Sequence, residues 1–213
     1  MTQHNAPPPI PAPSGQDQWA AFTIGVVADT HIPDRVRSLH PALLPMLEAA
    51  GVRHILHAGD ISARSVLDEL AQLAPVTAVR GNRDLFTGRL KLVEMLELGG
   101  ARIALMHGHG GWAAYLRDKY YYIRFGYDLG RYLGLLRQNG AQADAVVFGH
   151  THFPEQIHEA GQLLFNPGSA SFGCCPGELP SFGLLRVGPG AQVTSEIVRL
   201  EGWRIYKREW VAI

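Results

Sequence analysis

Seven side chains of the kinds that bind metal ions stand at the ends of apolar runs in this sequence. They are carboxylates, one amide and imidazoles, in the order Asp29, His31, Asp60, Asn82, His107, His150 and His152. Such oxygen and nitrogen donors suit divalent ions of manganese, iron, zinc, nickel or cobalt. Seven donors exceed what one tetrahedral ion uses, but they match two ions that share a bridging carboxylate. Two-metal sites, with ions about 3.5–4 Å apart, recur in displacement at phosphorus.

The first donor pair ends the apolar run FTIGVVADTH at residues 22–31. A continuous apolar run of this length predicts a buried strand. Asp29 and His31 are separated by one residue, so an extended backbone directs both side chains to the same side. Ligands of open α/β sheets collect beyond the carboxyl ends of the strands. We therefore expect this pair to form half of a metal site.

The elements that position the first four donors alternate between strand and helix. Apolar runs at 52–60 and 75–82 predict the second and third strands, ending in Gly-Asp and Gly-Asn. A helix at 41–50 separates the first two strands, and Ser62 is placed to cap the helix that follows the second. This order is typical of a parallel sheet with helices packed against it.

The second half of the chain is richer in strand-like runs. Paired strands joined at Gly99-Gly100 lead to His107, and a buried strand at 143–148 leads to His150. From 163 to 210 the pattern is again strand-like. The sequence thus predicts an α/β fold of two stacked sheets with helices outside, in a single domain over 21–213.

The segment 112–140 interrupts the alternation and is predicted to be helical. It carries six of the seven tyrosines and several basic residues, including Arg117 and Lys119. One interpretation is a cap over the metals, in which tyrosines stack on a nucleotide and basic residues bind phosphate. The other is an amphipathic helix whose tyrosines pack on the sheet or on a second subunit. We expect most tyrosines to pack and a few to form a cap.

The composition and charge of the chain limit the partners that the protein is expected to bind. The chain has 213 residues, and 19 basic residues balance 19 acidic ones, so no overall charge draws it to nucleic acid or to an anionic membrane. The basic residues are too few for duplex DNA binding, and no run has the length of a membrane-spanning helix. Residues 1–20 are rich in proline and predict a flexible tail without a secretion signal.

The only two cysteines, Cys174 and Cys175, are adjacent. Neighbouring cysteines do not easily form an unstrained disulfide, so no disulfide framework is expected. This composition favours a reducing compartment, and we expect a cytoplasmic protein.

The donor residues, with their glycine neighbours, resemble the motifs of the calcineurin-like metallophosphoesterase superfamily. That family's order is Asp-x-His, Gly-Asp, Gly-Asn, His and Gly-His-x-His, and this sequence has the same five motifs from Ala28 to His152. The stretch Asn166-Pro-Gly-Ser169 also resembles the small prokaryotic phosphodiesterase branch. The resemblance covers about residues 22–198, and five motifs in the right order are a specific pattern.

The resemblance implies a four-layer α/β/β/α sandwich with the site at the strand ends. If the family's ligand roles apply to the matching positions, the first ion is bound by Asp29, His31, Asp60 and His152. The second ion is bound by Asp60, Asn82, His107 and His150, so Asp60 bridges the two ions. The implied reaction is hydrolysis of a phosphate ester by in-line attack of a hydroxide that bridges two divalent ions. Mn²⁺ is the ion expected first, with Fe, Ni, Zn and Co as alternatives.

One position departs from the family pattern. Many members have a histidine after the asparagine, but here the stretch is Gly81-Asn82-Arg83-Asp84. Arg83 is suited to contact a phosphate oxygen, although it cannot act as a general acid. The expected catalytic residues are therefore Asp60 and Asn82 with Arg83, and His109 is the candidate for the missing acid.

The sequence leaves several functions open. The expected function is a phosphodiesterase acting on a small, nucleotide-like phosphate ester; a phosphomonoesterase or nucleotide pyrophosphohydrolase is an alternative. A scaffold without strong catalysis is another, because the retromer subunit that resembles this branch has lost part of its metal set. All seven donors are present here, which favours the enzyme. The sequence does not decide whether the protein forms a homo-oligomer.

Overall fold

The computed structural model describes residues 21–85 and 87–213. The predicted tail at 1–20 lies outside the described residues. The strands are β1 (Phe22–Val27), β2 (His54–His57), β3 (Val76–Ala78), β4 (Val93–Leu98), β5 (Ala101–Met106), β6 (Ala145–Val147), β7 (Glu155–Glu159), β8 (Gln162–Asn166), β9 (Ser181–Val187), β10 (Val193–Arg199), β11 (Trp203–Tyr206) and β12 (Glu209–Ala212). The helices are α1 (Leu43–Ala49), α2 (Arg64–Leu70), α3 (Trp112–Phe125) and α4 (Gly130–Gly140).

The first sheet is mixed and has the strand order β10-β9-β1-β2-β3. Strands β1, β2 and β3 are parallel, with Ile24 opposite His54 in the register of β1 and β2. On its other side β1 pairs with β9 in the antiparallel sense, where Ile24 lies opposite Leu185. Strand β1 is therefore central, which explains why its run is apolar throughout.

The second sheet is also mixed and has the order β4-β5-β6-β8-β7. Strands β5, β6 and β8 are parallel, while β4 and β7 pair with their neighbours in the antiparallel sense. The predicted pairing across Gly99-Gly100 is the β4–β5 hairpin. A separate two-stranded hairpin, β11–β12, follows near the C-terminus.

The sheets stack face to face, with helices on both outer surfaces. Between them lies a core that includes Ile24, Leu56 and Phe165. Helices α1 and α2 cover the first sheet through residues such as Leu47 and Leu70. Helix α4 covers the second sheet with a core that includes Leu136 and the buried part of Tyr132. The four-layer α/β/β/α sandwich of two mixed sheets is confirmed.

Two local predictions differ from the structure. Ser62 does not cap α2: the helix begins after Ala63 with no side-chain cap, and the Ser62 hydroxyl donates to Asp34 instead. The segment 112–140 is two helices, because the chain turns at Gly126, whose φ of 80° ends α3. In the described part of the chain, no helix has the length and apolar character needed to cross a membrane.

Candidate metal centre

The loops that follow β1 and β2 lie side by side and are joined by backbone hydrogen bonds. The Asp29 amide donates to the Gly59 carbonyl over 3.0 Å, and the His31 amide donates to the Asp60 carbonyl over 3.0 Å. These bonds fix the distance between the two strand ends. Three donor-type side chains are thereby brought to one edge of the first sheet.

The reason that Asp29 and His31 converge differs from the one predicted. The strand ends at Val27, and Asp29 and His31 have φ values of 53° and 50°, in the left-handed region rather than an extended conformation. Asp60, His150 and His152 share this conformation. Aspartate and histidine adopt it more readily than most residues, but it still costs free energy and is concentrated at functional sites.

Asp29, His31 and His152 form the first donor group. Their ligand atoms lie within 4.8 Å of one another. The Nε2 atoms of His31 and His152 are 3.1 Å apart, and Oδ1 of Asp29 lies 3.4 Å from Nε2 of His152. This carboxylate oxygen is buried and has no hydrogen-bond partner. An orphaned buried oxygen beside two imidazole nitrogens fits a cation.

Asp60 lies between this group and a second one. Its Oδ2 is 3.8 Å from Nε2 of His31, while its Oδ1 is 3.4 Å from Nε2 of His107. Asn82 adds an amide oxygen 3.1 Å from the same His107 nitrogen. Nδ1 of His107 donates to the Ala58 carbonyl over 2.7 Å, so Nε2 is the ring nitrogen that faces Asp60 and Asn82.

His150 is held differently from the other six donor residues. Its backbone amide donates to Oδ2 of Asp29 over 3.0 Å, and its ring centroid lies 5.0 Å from that of His107. Its Nε2, however, lies 3.7 Å from Oδ2 of Asp118 on α3. We did not predict Asp118 from the sequence, because it lies within a helical segment with no strand-end motif.

The buried charges shift the pKa values of these groups. Burial lowers the pKa of His31 to about 3, so its imidazole is neutral at pH 7 and its lone pair is available. Burial raises the pKa of Asp60. Burial alone would also raise the pKa of Asp29, but His152, His107 and His31 outweigh it and hold that pKa below its usual value. Two buried carboxylates side by side favour binding of divalent cations.

Asp84 holds two of the donor loops together, a role that its place in the sequence did not indicate. Its Oδ1 accepts from the amides of Ile61 and Ser62, both over 2.8 Å, and its Oδ2 accepts from the amide of Gly81 over 2.7 Å. The side chain is buried. A carboxylate with three backbone donors fixes the residues on either side of Asp60 and Asn82.

The Asn166–Ser169 stretch fixes the other two donor loops. The Asn166 side chain donates to the Gly149 carbonyl and to the Thr151 hydroxyl, each over 3.0 Å. The hydroxyls of Ser169 and Ser171 both donate to the Asp29 carbonyl, over 2.8 and 2.9 Å. The motif therefore acts through the residues that carry His150, His152 and Asp29 rather than through a donor of its own.

Two of the glycines next to donors are required by close packing against donor side chains. A Cβ on Gly81 would overlap Oδ1 of Asp60, and one on Gly149 would lie 2.8 Å from Oδ2 of Asp29. Neither position leaves room for a larger residue. These glycines let neighbouring loops approach closely enough to share the donors.

A cavity of about 340 Å³ opens over the donor groups. Its wall includes five of the seven donors, the basic residues Arg35, Arg83 and Lys119, and an aromatic set of Tyr115, Tyr122, Tyr127, Tyr132 and Phe172. The Arg83 amide donates to Oδ1 of Asp60 over 2.9 Å, and its guanidinium lies 3.3 Å from Asp34. The segment 112–140 thus supplies four tyrosines to the cavity, while Tyr120 and Tyr121 are exposed elsewhere.

His109 lines a different cavity. It contributes to the wall of a space of about 430 Å³ between α3 and α4, and not to the cavity over the donors. Burial lowers the pKa of His109 to about 3, so the ring is a neutral imidazole at pH 7. Its role as an acid stays a prediction that these contacts do not support.

Comparison with known proteins agrees with this geometry. A family model of the calcineurin-like phosphoesterase superfamily domain matches residues 22–188. A probable metallophosphoesterase of Methanothermobacter thermautotrophicus is 35% identical over 177 residues, which cover 83% of this chain and 91% of that protein. A probable metallophosphoesterase of Methanocaldococcus jannaschii is 35% identical over 153 residues, covering 72% of this chain and 70% of the relative.

Solved structures share the fold. Vacuolar protein sorting 29 of Cryptosporidium parvum superposes with a TM-score of 0.64 at 19% identity, covering 84% of this chain and 97% of that one. Wild-type Vps29 of Entamoeba histolytica, complexed with Zn²⁺, has a TM-score of 0.58 at 25% identity, covering 84% and 99%. An archaeal phosphodiesterase has a TM-score of 0.56 at 18% identity, covering 83% and 99%. The chain therefore belongs to the calcineurin-like phosphoesterase superfamily, a family of metal-dependent hydrolases of phosphate esters.

Proposed function

We propose that this protein is a phosphodiesterase with a dinuclear metal centre. The observation that carries the proposal is the placement of Asp60, whose two carboxylate oxygens face His31 on one side and His107 on the other. A carboxylate with a donor group at each oxygen is the arrangement that two ions sharing one ligand require.

As the family resemblance implies, Asp29, His31 and His152 would hold the first ion with Asp60, and Asn82, His107 and His150 would hold the second with Asp60. Divalent ions held there would make hydroxide available at neutral pH and would offset negative charge that develops at phosphorus. We propose Mn²⁺ as the first ion to test, because this set of oxygen and imidazole donors accepts several metals and availability decides among them.

The cavity wall suits a small anionic ester. Arg83, Arg35 and Lys119 line it and are placed to contact phosphate oxygens that do not bind the ions. Tyr115 and Tyr122 offer aromatic surface against which a nucleoside or another flat group can stack. A volume of about 340 Å³ is large enough for one compact ester. We therefore propose a small, nucleotide-like phosphodiester as the substrate.

Hydrolysis of two chromogenic esters tests the proposal. Bis(p-nitrophenyl) phosphate and p-nitrophenyl phosphate are each incubated with the protein, once with Mn²⁺ and once with excess EDTA. We expect cleavage with Mn²⁺ only, and faster cleavage of the diester. Faster cleavage of the monoester would replace the phosphodiesterase by a phosphomonoesterase, and equal rates with EDTA would refute metal dependence.

A scaffold function is the second candidate, favoured by one specific observation. Helix α3 exposes apolar side chains that include Leu116, Ile123 and Phe125, which are 63%, 77% and 65% exposed. Leu116 and Ile123 are seven residues apart and therefore share one face of the helix, and exposed apolar side chains on one face are typical of protein contacts. If Mn²⁺ binds but neither ester nor a panel of nucleotide diesters is cleaved, the scaffold becomes the better account.

A further inference from the structure

Asp118 of α3 reaches the metal centre from outside the seven donor residues. Its Oδ2 lies 3.7 Å from Nε2 of His150. The same oxygen accepts from the Tyr132 hydroxyl over 2.7 Å, and Oδ1 lies 3.5 Å from Nε of Arg131. Both partners belong to α4, so the carboxylate is fixed by one helix while it is carried by another.

At 3.7 Å, an ion-pair distance, Asp118 faces Nε2 of His150, and this placement bears on which ring nitrogen can bind an ion. A carboxylate facing Nε2 favours a proton on that nitrogen, and a neutral imidazole then has its lone pair on Nδ1. Metal-binding histidines commonly donate their second N–H to a carboxylate or a carbonyl, which orients the ring and raises its basicity. His107 is oriented in the same way, by the Ala58 carbonyl.

We propose that Asp118 is a positioning residue of the metal centre, which holds the His150 imidazole with Nε2 protonated so that Nδ1 binds the second ion. This inference rests on the proposed dinuclear function. It gives the segment 112–140 a role in metal binding besides its contribution to the cavity wall. The placement of α3 against α4 then sets the affinity of the site for one of its two ions.

The contacts of Asp118 with α4 hold its carboxylate in a fixed position next to His150. Tyr132 is buried among apolar side chains that include Leu136 of its own helix and Phe148, which follows β6. Its hydroxyl therefore has a fixed position from which to donate. Arg131 in turn donates to the Gly126 carbonyl over 2.6 Å at the turn between the helices. The carboxylate is thus held from two directions before it meets His150.

The test compares the protein with three variants, Asp118→Asn, Asp118→Glu and Asp128→Asn. Asp118→Asn keeps the shape of the side chain and removes its charge. Asp118→Glu restores the charge. Asp128→Asn is the matched control, because Asp128 is exposed, lies in the same segment and contacts the Gly130 amide rather than a donor residue.

The first readout is the tautomer of His150 in EDTA-treated protein, measured by long-range ¹H–¹⁵N correlation. We expect an Nε2–H tautomer in the wild type and in Asp128→Asn, and its loss in Asp118→Asn. The second readout is Mn²⁺ binding by calorimetry. We expect Asp118→Asn to weaken binding of one of two ions by about 10- to 100-fold, and Asp118→Glu to recover part of that loss.

Each other outcome overturns a different claim. Two ions bound by Asp118→Asn with wild-type affinity, and an unchanged tautomer, would overturn the role of Asp118 and leave the dinuclear function standing. A wild-type protein that binds fewer than two ions would overturn the dinuclear function and the effect on ion affinity with it. The tautomer measurement needs no metal, so the two failures are distinguishable.

Discussion

The Nε2 atoms of His31 and His152 lie 3.1 Å apart, with the imidazole rings tilted by 43°. At most one hydrogen bond can join two neutral imidazoles, and it uses the lone pair of one ring. An ion beside both nitrogens would instead accept a lone pair from each. The orphaned oxygen of Asp29 at the same point completes three donors around one position. The fold therefore brings three donor atoms of Asp29, His31 and His152 around one position that suits an ion.

The central variant is Asp60→Ala. Both ions lose a ligand, so we expect metal-dependent turnover to fall to background and Mn²⁺ binding to be lost or reduced to one weak site. Calorimetry and diester hydrolysis measure the two effects. Asp68→Ala, at an exposed residue of α2 that pairs with Arg64, is the control and should match the wild type. Full activity in Asp60→Ala would refute the bridging role.

Asp84→Asn tests the residue that joins the donor loops. The amide group presents one acceptor and one donor where three backbone amides need acceptors. We expect a loss of about 3 kcal/mol in the free energy of unfolding, measured with urea, together with weaker Mn²⁺ binding. Asp68→Asn removes the same charge at the surface and should change stability by less than about 0.5 kcal/mol. Equal effects of the two substitutions would contradict this role for Asp84.

The same substitution at two glycines should have opposite effects. In Gly81→Ala the new methyl group would overlap the Asp60 carboxylate, so we expect destabilisation by about 1–3 kcal/mol and weakened Mn²⁺ binding. Gly134 lies inside α4, and among the described residues no atom outside its own helix backbone and chain neighbours lies within 4 Å of the position that its Cβ would take, so Gly134→Ala should stabilise by about 0.5–1 kcal/mol. Thermal unfolding reports both, and a shift of the same sign in both variants would be inconsistent with close packing at Gly81.

Stability should fall in mild acid because of His57. Burial lowers the pKa of His57 to about 4, although Asp84 and Asp29 raise it in part. Its Nδ1 accepts from the Gly59 amide over 3.2 Å, which requires the neutral ring. The unfolded chain, with a pKa of about 6.5, binds the proton first. The contribution is therefore complete above pH 6.5 and is lost as the pH falls towards 4.

Urea unfolding of EDTA-treated protein at several pH values measures this effect. A single group of this kind contributes a slope of up to about 1.4 kcal/mol per pH unit. The variant His57→Gln should be less stable at pH 7 and should show a shallower slope between pH 4 and 6.5. An identical slope in wild type and variant would assign the acid sensitivity to other groups.

The sequence was sufficient to predict the two sheets, and the donor set that it suggested stays a prediction. Apolar runs that end in Asp29, Asp60 and His150 indicate buried strands, and parallel strands deliver such residues to one edge. The local conformation was not predictable in the same way. The i, i+2 spacing of Asp29 and His31 suggested an extended backbone. Both residues instead have left-handed backbone conformations, because their loop forms backbone hydrogen bonds with the loop after β2.

Contacts between residues that only the tertiary fold brings together could not be predicted from the sequence. Asp118 lies in a tyrosine-rich helix, and only the packing of α3 on α4 brings it to His150. Asp84 follows a recognisable motif, but its three backbone donors come from two different loops. His109 lies one residue after a donor motif, which suggested catalysis; its ring lines the neighbouring cavity, and its role as an acid stays a prediction.

The most direct test of the dinuclear centre is an anomalous difference map from crystals grown with Mn²⁺. We expect two peaks about 3.5–4 Å apart, one on each side of the Asp60 carboxylate. The first should contact His31 and His152, and the second should contact His107 and Asn82. A single peak, or two peaks of which neither contacts Asp60, would contradict a dinuclear centre bridged by this residue.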